Sequence, residues 1–495
     1  MNSILKNKST VLLFVVIAVL YLCFPTQNSS LDAYAYAGYV KHNFFLFTPH
    51  HLFSNVLIYA LSKALEYLGF YVDVLWLGKI TNSVFQLLNL VVLYKILSYL
   101  KVDKVSKNMY VAIVAFSFSL WRYGTENETY IVPITFSLLG SFQFLLYQLK
   151  LRDRYLLLSS FFGVIACLFH QIHFFGWLGL GVGCYQYTKK FKTLLLYILP
   201  AFLVPLSYIL VVVFYENQDL NFNNLSHFVF HDFYKGTVQT DFGWKGFFFQ
   251  ALNTIRTYIQ IHPNIYYLIQ RNWLYAVPFM ICVLIIFTLI KRAFKKENVF
   301  IKREHSLSLF LKIHLYIFIT NYLFAFYNYG NVEFMVMLPF LLVLFVVIQY
   351  KVDITFLKRV ALFLCIWNFC FAILPNRIYS YYNDTALVDY MALHPKSLFI
   401  IKNHEAKNQY YYKTGINDAS NILLYRKLTS EKLIQLLKDE KEVYTDVLGK
   451  PEILNKEKIT ASNLTVNFEE FKKEEVFSYE GFYGTSKLYK ISLEK

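Results

Sequence analysis

Long apolar runs, repeated along most of the chain, constrain its fold more than any other feature. About eleven stretches of roughly 15 to 23 residues are long enough to cross a bilayer as helices. They lie near 10–24, 80–100, 109–121, 130–149, 155–170, 172–187, 194–214, 273–290, 308–327, 334–350 and 358–375. Hydrophobic residues make up 57% of the 495 residues, aromatic residues 19% and charged residues only 16%, which a soluble globule does not show. The sequence predicts an all-α polytopic membrane domain of about 11 transmembrane helices.

The distribution of basic residues predicts how these helices are oriented. Lys and Arg cluster in every second loop, as in 101–107, 150–154, 189–192 and 291–303, while the loops between are nearly free of them. Basic loops stay in the cytoplasm, so the N-terminus and the 291–307 loop should lie inside. The net charge of +16 is explained by this pattern, and no nucleic-acid partner is predicted.

Two segments do not fit the pattern of crossing helices. Residues 51–70 are interrupted by polar side chains and predict an amphipathic helix that lies in the outer interface. Beyond Pro375, strand-like runs at 397–401, 443–447 and 487–492 and a helical pattern at 430–439 predict a small C-terminal α/β extracytoplasmic domain. We therefore expect a membrane domain at 1–375 and a second domain at 376–495. The six cysteines lie in or beside apolar runs and are expected to be small core residues.

The first predicted outer loop carries the first group of candidate site residues. Asp32 follows the first apolar run, Tyr36 lies near it, and His50 and His51 come later in the same loop. A carboxylate at the edge of an apolar cavity can accept a proton or hold a substrate hydroxyl. Asp32 could equally be a solvated acid, or the cap of a helix that starts at Ala33.

The second predicted outer turn concentrates charge against the bilayer surface. Arg122, Glu126 and Glu128 lie within seven residues in a face that is otherwise poor in positive charge. The guanidinium of Arg122 can bind phosphate oxygens in a forked geometry, or it can pair with Glu126 or Glu128. Both interpretations stay open from sequence.

Two further groups lie at outer ends of predicted spans. His170 and His173 are three residues apart, on one face if the helix continues, which permits contact with a phosphate or a metal ion. Histidines satisfied by backbone groups are the alternative. Glu333 lies at the start of a predicted span and should face a cavity, because burying an acid in lipid is costly.

The order of these groups resembles the GT-C superfamily of membrane glycosyltransferases, and within it the bacterial proteins similar to protein O-mannosyltransferases. The resemblance covers about residues 1–350. It rests on Asp32-Ala33-Tyr34-Ala35-Tyr36-Ala37, Pro49-His50-His51-Leu52, Trp121, Glu128-Thr129-Tyr130 and Phe169-His170-Gln171-Ile172-His173. Relatives often carry a second acid shortly after the Asp, whereas this chain has Ala33, Tyr34 and Ala35 there. The acceptor is therefore left open between a glycan, a lipid and a protein.

The resemblance implies an activity and roles for the candidate residues. It implies transfer of a sugar from a polyprenyl-phosphate donor to an extracytoplasmic acceptor by a multi-pass enzyme of the inner (cytoplasmic) membrane, in contact with membrane lipids. Asp32 and Glu128 would be catalytic, and Arg122, His170 and His173 would bind the donor phosphate. The substrate cavity would include Tyr36, His50, His51, Glu126 and Glu333. No metal ligands are assigned, and a divalent metal stays open as a cofactor.

Two other functions share the pattern of many spans with a long outer loop. One is a lipid-linked oligosaccharide polymerase or ligase. The other is a glycolipid transporter or flippase, which would be expected to carry ionisable groups near mid-bilayer and often repeated halves. The polar clusters lie instead at the outer ends of the spans and no repeat is evident, which favours an enzyme.

Overall fold

The computed structural model describes residues 7–235, 243–261, 264–294, 299–303, 308–417, 419–438, 442–451, 466 and 468–493. These residues are mostly helical and divide into two compact units. The first unit comprises Met1–Pro25 and Leu46–Pro375, and the second comprises Thr26–Phe45 and Asn376–Lys495. The domain boundary predicted at residue 375 therefore differs at one place, because Thr26–Phe45 pack with the C-terminal residues.

Helices account for most of the first unit. In chain order they are Lys8–Cys23, Ser54–Tyr67, Val74–Tyr99, Lys104–Ala115, Phe118–Gly124, Ile131–Lys150, Asp153–Phe169, Phe174–Thr188, Phe191–Ile198, Leu203–Leu210, Phe222–Val229, His231–Tyr234, Trp244–Tyr258, Asn264–Arg271, Ala276–Phe294, Ser308–Tyr327, Leu338–Gln349, Ile354–Asn368 and Leu374–Ile378. A two-stranded antiparallel pair, β1 (Phe300–Lys302) and β2 (Tyr350–Val352), joins two of the connecting segments. Buried apolar side chains of the unit form one large core and a smaller cluster around Leu52, Leu168 and Val212.

Seven helical segments in the described part of the chain are long and apolar enough to cross a membrane. They are Val74–Tyr99, Ile131–Lys150, Phe191–Tyr215, Trp273–Phe294, Leu309–Tyr327, Val332–Gln349 and Ile354–Ile378. The protein is thus a multi-pass membrane protein. The predicted number of about eleven is not reached by this criterion, since Lys8–Cys23, Asp153–Phe169 and Phe174–Thr188 are shorter than 18 residues.

Two predicted segments differ from the structure in continuity or in bounds. The run 109–121 contains a break, with one helix ending at Ala115 and the next starting at Phe118. The amphipathic segment 51–70 forms the helix Ser54–Tyr67, preceded by a 3₁₀ turn at Pro49–His51. Tyr67, its last residue, and Tyr71, four residues further on, are 91% and 86% exposed, which suits a position in a membrane interface.

The connection 215–272 is more structured than the sequence indicated. Its described residues form four helices, Phe222–Val229, His231–Tyr234, Trp244–Tyr258 and Asn264–Arg271. Three of them, Phe222–Val229, Trp244–Tyr258 and Asn264–Arg271, are amphipathic: each buries part of one face, and aromatic side chains such as Phe222 and Trp244 stay exposed. This connection supplies part of the site described below.

The second unit is an α/β domain, as predicted from the C-terminal sequence. Strands β3 (Leu398–Ile401), β4 (Ile422–Leu424), β5 (Val443–Thr445), β6 (Phe471–Gly481) and β7 (Gly484–Leu493) form one sheet in the order β4-β3-β5-β7-β6. Strands β3, β4 and β5 are parallel, and β7 is antiparallel to both β5 and β6. Helices Asp384–Leu393, Glu405–Thr414 and Ser430–Lys438 accompany the sheet. Position 439 of the predicted helix lies outside the described residues.

The helix Leu31–Lys41 packs closely within this second unit. Its buried face is made of Ala33, Ala37, Gly38 and Val40, all small enough for close contact. A Cβ atom added to Gly38 would lie only 2.6 Å from Cε1 of Tyr411, on the helix Glu405–Thr414. Residues that directly follow the first apolar run are thus held by the C-terminal part of the chain.

A buried ion cluster ties the sheet of the second unit together. The Lys450 ammonium lies 3.0 Å from Asp384 Oδ1 and 3.2 Å from Asp446 Oδ2, and it donates to the Tyr479 hydroxyl at 2.7 Å. Burial opposes the charged ammonium, but Asp446 and Asp384 keep the pKa of Lys450 well above its ordinary value. The cluster joins residues from a helix, a strand end and β6.

The six cysteines are all described and none is paired. Cys184 and Cys282 are buried, as expected for small core residues, whereas Cys23 is exposed at the end of its helix. The expectation that every cysteine is a core residue is therefore wrong for Cys23.

Candidate functional site

A cavity of about 720 Å³ opens in the first unit, and its wall is rich in polar side chains. This volume is in the range of small-molecule sites. The polar lining includes His50, His51, His170, Gln171, Asp232 and Asn253. Asn328 and Asn331 also contribute, together with the aromatic side chains Tyr130, Phe249, Phe324, Tyr329 and Phe334.

Three chain segments meet at His50, on the 3₁₀ turn that precedes the helix Ser54–Tyr67. Its Nε2 lies 2.8 Å from Asp232 Oδ2, and its Nδ1 lies 3.1 Å from Gln171 Oε1. Asp232 belongs to the short helix His231–Tyr234, and its other oxygen is 3.0 Å from His231 Nδ1. Side chains distant in sequence thus form one connected polar group at the cavity wall.

The hydrogen bonds define the protonation state of His50. Gln171 Nε2 donates to the Pro49 carbonyl at 3.1 Å and to the Tyr208 hydroxyl at 2.8 Å, so its Oε1 must be the atom that faces His50. Both ring nitrogens of His50 therefore face acceptors, which suits the doubly protonated ring. Burial lowers the pKa of His50, but the bonds to Asp232 and Gln171 and the charge of Asp232 raise it overall. The bond from His50 likewise lowers the pKa of Asp232.

The neighbouring histidines are neutral. Burial, together with repulsion from His50, lowers the pKa of His51 to about 3. His51 contacts His170 edge to face, with ring centroids 4.3 Å apart. His170 Nδ1 accepts a bond from the Ile172 backbone N–H at 3.3 Å, so a neutral His170 carries its proton on Nε2.

The predicted pair His170 and His173 is close in space, but not because a helix continues. The helix Asp153–Phe169 ends before His170, whose φ of −160° is extended, and Gln171–His173 form a 3₁₀ turn. The two rings lie 6.3 Å apart, and His173 Nδ1 is 2.6 Å from Ser137 Oγ. The expectation of a shared helix face is wrong, and the turn instead points His170 to the cavity wall.

A tight turn at residues 328–331 supplies two asparagines and a tyrosine to the wall. Tyr329 and Gly330 have φ angles of 55° and 67°, and a Cβ at Gly330 would lie 2.4 Å from the Gln250 nitrogen, so only glycine fits there. The close approach lets Asn253 Nδ2 donate to the Gly330 carbonyl at 2.8 Å. Asn328 Nδ2 donates to the Phe324 carbonyl at 2.9 Å.

Glu333 is held at this edge by two donors. Its Oε2 accepts from the Tyr130 hydroxyl at 2.9 Å and from Asn331 Nδ2 at 3.0 Å. Tyr130 and Asn331 both line the cavity, so Glu333 lies beside the cavity wall. Its contact with Tyr130 joins it to the turn that carries Glu128, two residues earlier in the chain. Burial raises the pKa of Tyr123, and the charges of Glu333 and Glu128 raise it further, as expected if both acids lie near it.

The charged turn at 122–128 is internally paired. Arg122 Nη1 lies 3.0 Å from Glu126 Oε2, and Glu126 is 1% exposed. Lys79, buried on the helix Val74–Tyr99, lies 3.9 Å from the other Glu126 oxygen. Asn82 Nδ2 donates to the backbone carbonyls of Glu126 and Glu128 at 2.7 Å each. The structure thus shows the pairing interpretation of Arg122, and its phosphate role stays a prediction.

Asp32 and Tyr36 belong to the second unit. Asp32 is exposed in the first turn of the helix Leu31–Lys41, and the cap of that helix is Ser30, whose Oγ accepts from the Ala33 N–H at 3.0 Å. The alternative that Asp32 caps a helix starting at Ala33 is therefore wrong. An acid in the first turn also suits the helix dipole.

Several residues of this site were not identified from sequence. Asp232 and Asn253 lie in the connection 215–272, which the sequence showed only as a long outer loop, and Lys79 lies just before the predicted span 80–100. The dipeptide His231-Asp232 and the lone Lys79 in an apolar run were the available signals. Within the described ranges, no group of three or more His, Cys, Asp and Glu side chains is arranged to hold a metal ion.

Comparison with solved structures identifies the fold. ArnT from Cupriavidus metallidurans bound to undecaprenyl phosphate aligns over 97% of this chain and 97% of its own, with 10% identity and a TM-score of 0.53. ArnT is a member of the GT-C superfamily. The chain therefore has the GT-C fold, and the predicted resemblance is confirmed at the level of the fold.

Two more distant structures also match. The Archaeoglobus fulgidus oligosaccharyltransferase in complex with Zn and sulfate covers 97% of this chain and 73% of its own, at 9% identity and a TM-score of 0.44. The Saccharomyces cerevisiae protein O-mannosyltransferase Pmt1-Pmt2 complex bound to the sugar donor matches 43% of this chain, at 18% identity and a TM-score of 0.34. The match spans about a third of that protein's length. No protein-family model and no curated protein matches the sequence.

Proposed function

We propose that this protein is a membrane glycosyltransferase that transfers a sugar from a polyprenyl-phosphate donor to an extracytoplasmic acceptor. The observation that carries the proposal is the polar, aromatic-lined cavity within a GT-C fold. The structure with the same fold, ArnT, is described bound to undecaprenyl phosphate, which supports a donor of this lipid class. The site combines a fixed imidazolium, neutral histidines and amides, the kinds of group that bind phosphate and sugar oxygens.

The roles proposed for individual residues come from the family resemblance. Asp32 would activate or orient the acceptor hydroxyl, and Glu128 would support it. His170 and His173, with Arg122, would stabilise the departing phosphate, where negative charge develops during transfer. His50, His51, Tyr36, Glu126 and Glu333 would complete the substrate cavity.

The donor class is tested with purified protein in liposomes. Radiolabelled sugar is offered either on undecaprenyl phosphate or as the nucleotide sugar, with an extract of envelope glycans and lipids as acceptor. We expect incorporation only from the lipid-linked sugar, because no Gly-rich strand-to-helix loop for a nucleotide occurs in the sequence. Incorporation from the nucleotide sugar in the absence of lipid carrier would contradict the proposal.

The proposed orientation places the helix Leu31–Lys41 and the rest of the C-terminal unit on the outer side of the cell membrane. It is tested by labelling single cysteines in intact cells, in a background where the exposed Cys23 is replaced by Ser. Lys396 and Lys190 are both exposed and give matched reporters for the two sides. We expect Lys396→Cys to react with an impermeant maleimide in intact cells. Lys190→Cys should react only after the membrane is permeabilised, and the reverse pattern would refute the orientation.

A further inference from the structure

The cavity wall offers hydrogen-bond acceptors at the turn 328–331 and the helix beside it. Asn253 and Asn328 each donate their Nδ2 to a backbone carbonyl, at 2.8 Å and 2.9 Å. A backbone carbonyl can accept only from the amide nitrogen, so these bonds fix which way each side-chain amide is turned. The Oδ1 of each residue is then the atom left to accept a bond from a ligand.

Asp232 adds a carboxylate to the same wall. Both of its oxygens already take part in bonds to histidine, with Oδ2 facing His50 and Oδ1 facing His231. The side chain is nevertheless 41% exposed, and each carboxylate oxygen can accept more than one bond. Amide and carboxylate oxygens together match a ligand that presents several hydroxyl groups.

Charge at this wall is balanced. Among the described lining residues, the charged side chains are Asp232 and the protonated His50, and they pair with each other at 2.8 Å. His51, His170 and His231 also face this pair, and none of them adds negative charge. A charged group on a ligand would meet one like charge and one opposite charge in this pair. The opposite charge is already paired, so the ligand gains no new counter-ion.

Aromatic rings cover the remaining wall. Phe324 and Phe334 meet edge to face with centroids 5.0 Å apart, and Tyr130 lies 5.1 Å from His170. The faces of such rings carry partial negative charge and attract the weakly positive C–H groups of a ligand. Hydroxyl acceptors beside aromatic faces are the features expected of a carbohydrate site.

We propose that Asn253, Asn328 and Asp232 form the sugar subsite of this cavity, and that the subsite disfavours a uronic acid. The inference rests on the proposed function, since it assigns the sugar of the polyprenyl-phosphate donor to these residues. A carboxylate on the sugar would meet Asp232 and two amide oxygens that cannot donate to it, whereas hydroxyl and ammonium groups can donate to all three.

The test measures equilibrium binding of radiolabelled lipids to the purified full-length protein in detergent. The probes are undecaprenyl phosphate without sugar, and the same lipid carrying mannose, glucosamine with a free amine, or glucuronic acid. We expect the mannosyl lipid and the glucosaminyl lipid each to bind about 10-fold or more tightly than the glucuronosyl lipid. Asn253→Ala and Asn328→Ala should each weaken binding of the mannosyl lipid about 10-fold, because each removes an amide oxygen that accepts from the sugar. Each variant also loses the bond from its amide nitrogen to a backbone carbonyl, and binding of the sugar-free lipid measures any effect of that loss.

The sugar-free lipid serves as the internal control for folding and for the rest of the donor site. Its affinity should be unchanged in both variants, and Asn223→Ala, on the exposed face of the helix Phe222–Val229, should alter neither affinity. Equal loss for the mannosyl and sugar-free lipids, or binding of the glucuronosyl lipid as tight as that of the mannosyl lipid, would overturn the subsite. Binding of no polyprenyl phosphate at all would instead overturn the proposed function on which it depends.

Discussion

Asp32→Asn should abolish sugar transfer while leaving the protein folded. A catalytic base cannot be replaced by an amide, and loss of general base catalysis costs about 100-fold or more. Asp32 is exposed in the first turn of its helix, where Ser30 provides the cap, so the substitution should change stability by no more than about 1 kcal/mol. Transfer from the undecaprenyl-phosphate sugar and the thermal unfolding midpoint are measured on the same preparation.

The control for this variant is Asp219→Asn, which neutralises an exposed acid in the connection of the first unit. It should retain full transfer. If Asp32→Asn also retains transfer, the role of the base passes to Glu128 or Glu126, the other acids of the predicted outer site. An inactive variant that has also lost its unfolding transition would report misfolding and would contradict the surface position of Asp32.

Lys450→Met should destabilise the second unit strongly. The substitution leaves Asp384 and Asp446 buried without their shared cation, and removing one partner of a buried ion pair typically costs about 3 to 5 kcal/mol. Hydrogen exchange of peptides covering β3 and β5 measures the effect, because opening of the sheet exposes their amides. A loss of about 3 kcal/mol corresponds to exchange roughly 100-fold faster.

The matched control is Lys487→Met on β7. Lys487 pairs with Glu475 at 2.7 Å, but both side chains are 42% exposed, so solvent screens the pair and it contributes little to stability. All six tryptophans precede residue 376, so tryptophan fluorescence should report an unchanged first unit in both variants. Equal exchange rates in Lys450→Met and Lys487→Met would show that the buried cluster does not stabilise the sheet.

The packing of Leu31–Lys41 links these two predictions. The helix that carries Asp32 contacts the helix Glu405–Thr414 through Gly38 and Tyr411, and Asn408 Nδ2 donates to the Leu31 carbonyl at 3.0 Å. Destabilising the second unit should therefore also reduce transfer, because the proposed base loses its support.

The sequence by itself determined the class of the protein and the positions of its main elements. A chain that crosses lipid must form continuous apolar helices, because every backbone N–H and C=O group has to find its hydrogen-bond partner within the helix. The resulting long apolar runs can be read directly from the sequence. Strands β3, β5 and β7 and the helix starting at Ser430 were also predicted, because their patterns repeat over a few residues, whereas β4 and β6 were not. The order of the polar clusters along the chain was enough to indicate the GT-C fold.

Only the tertiary structure decided which polar groups meet. His50 and Gln171 are 121 positions apart, and Asp232 reaches them from a connection that has no long apolar run. The small residues Ala33, Ala37 and Gly38 permit close packing on a partner, but they do not specify that the partner is a helix more than 350 residues further along the chain. Pairings of this kind depend on three-dimensional proximity and on complementary hydrogen bonding, neither of which leaves a periodic signal in the sequence. Local physics thus determined the elements, and long-range packing determined the site.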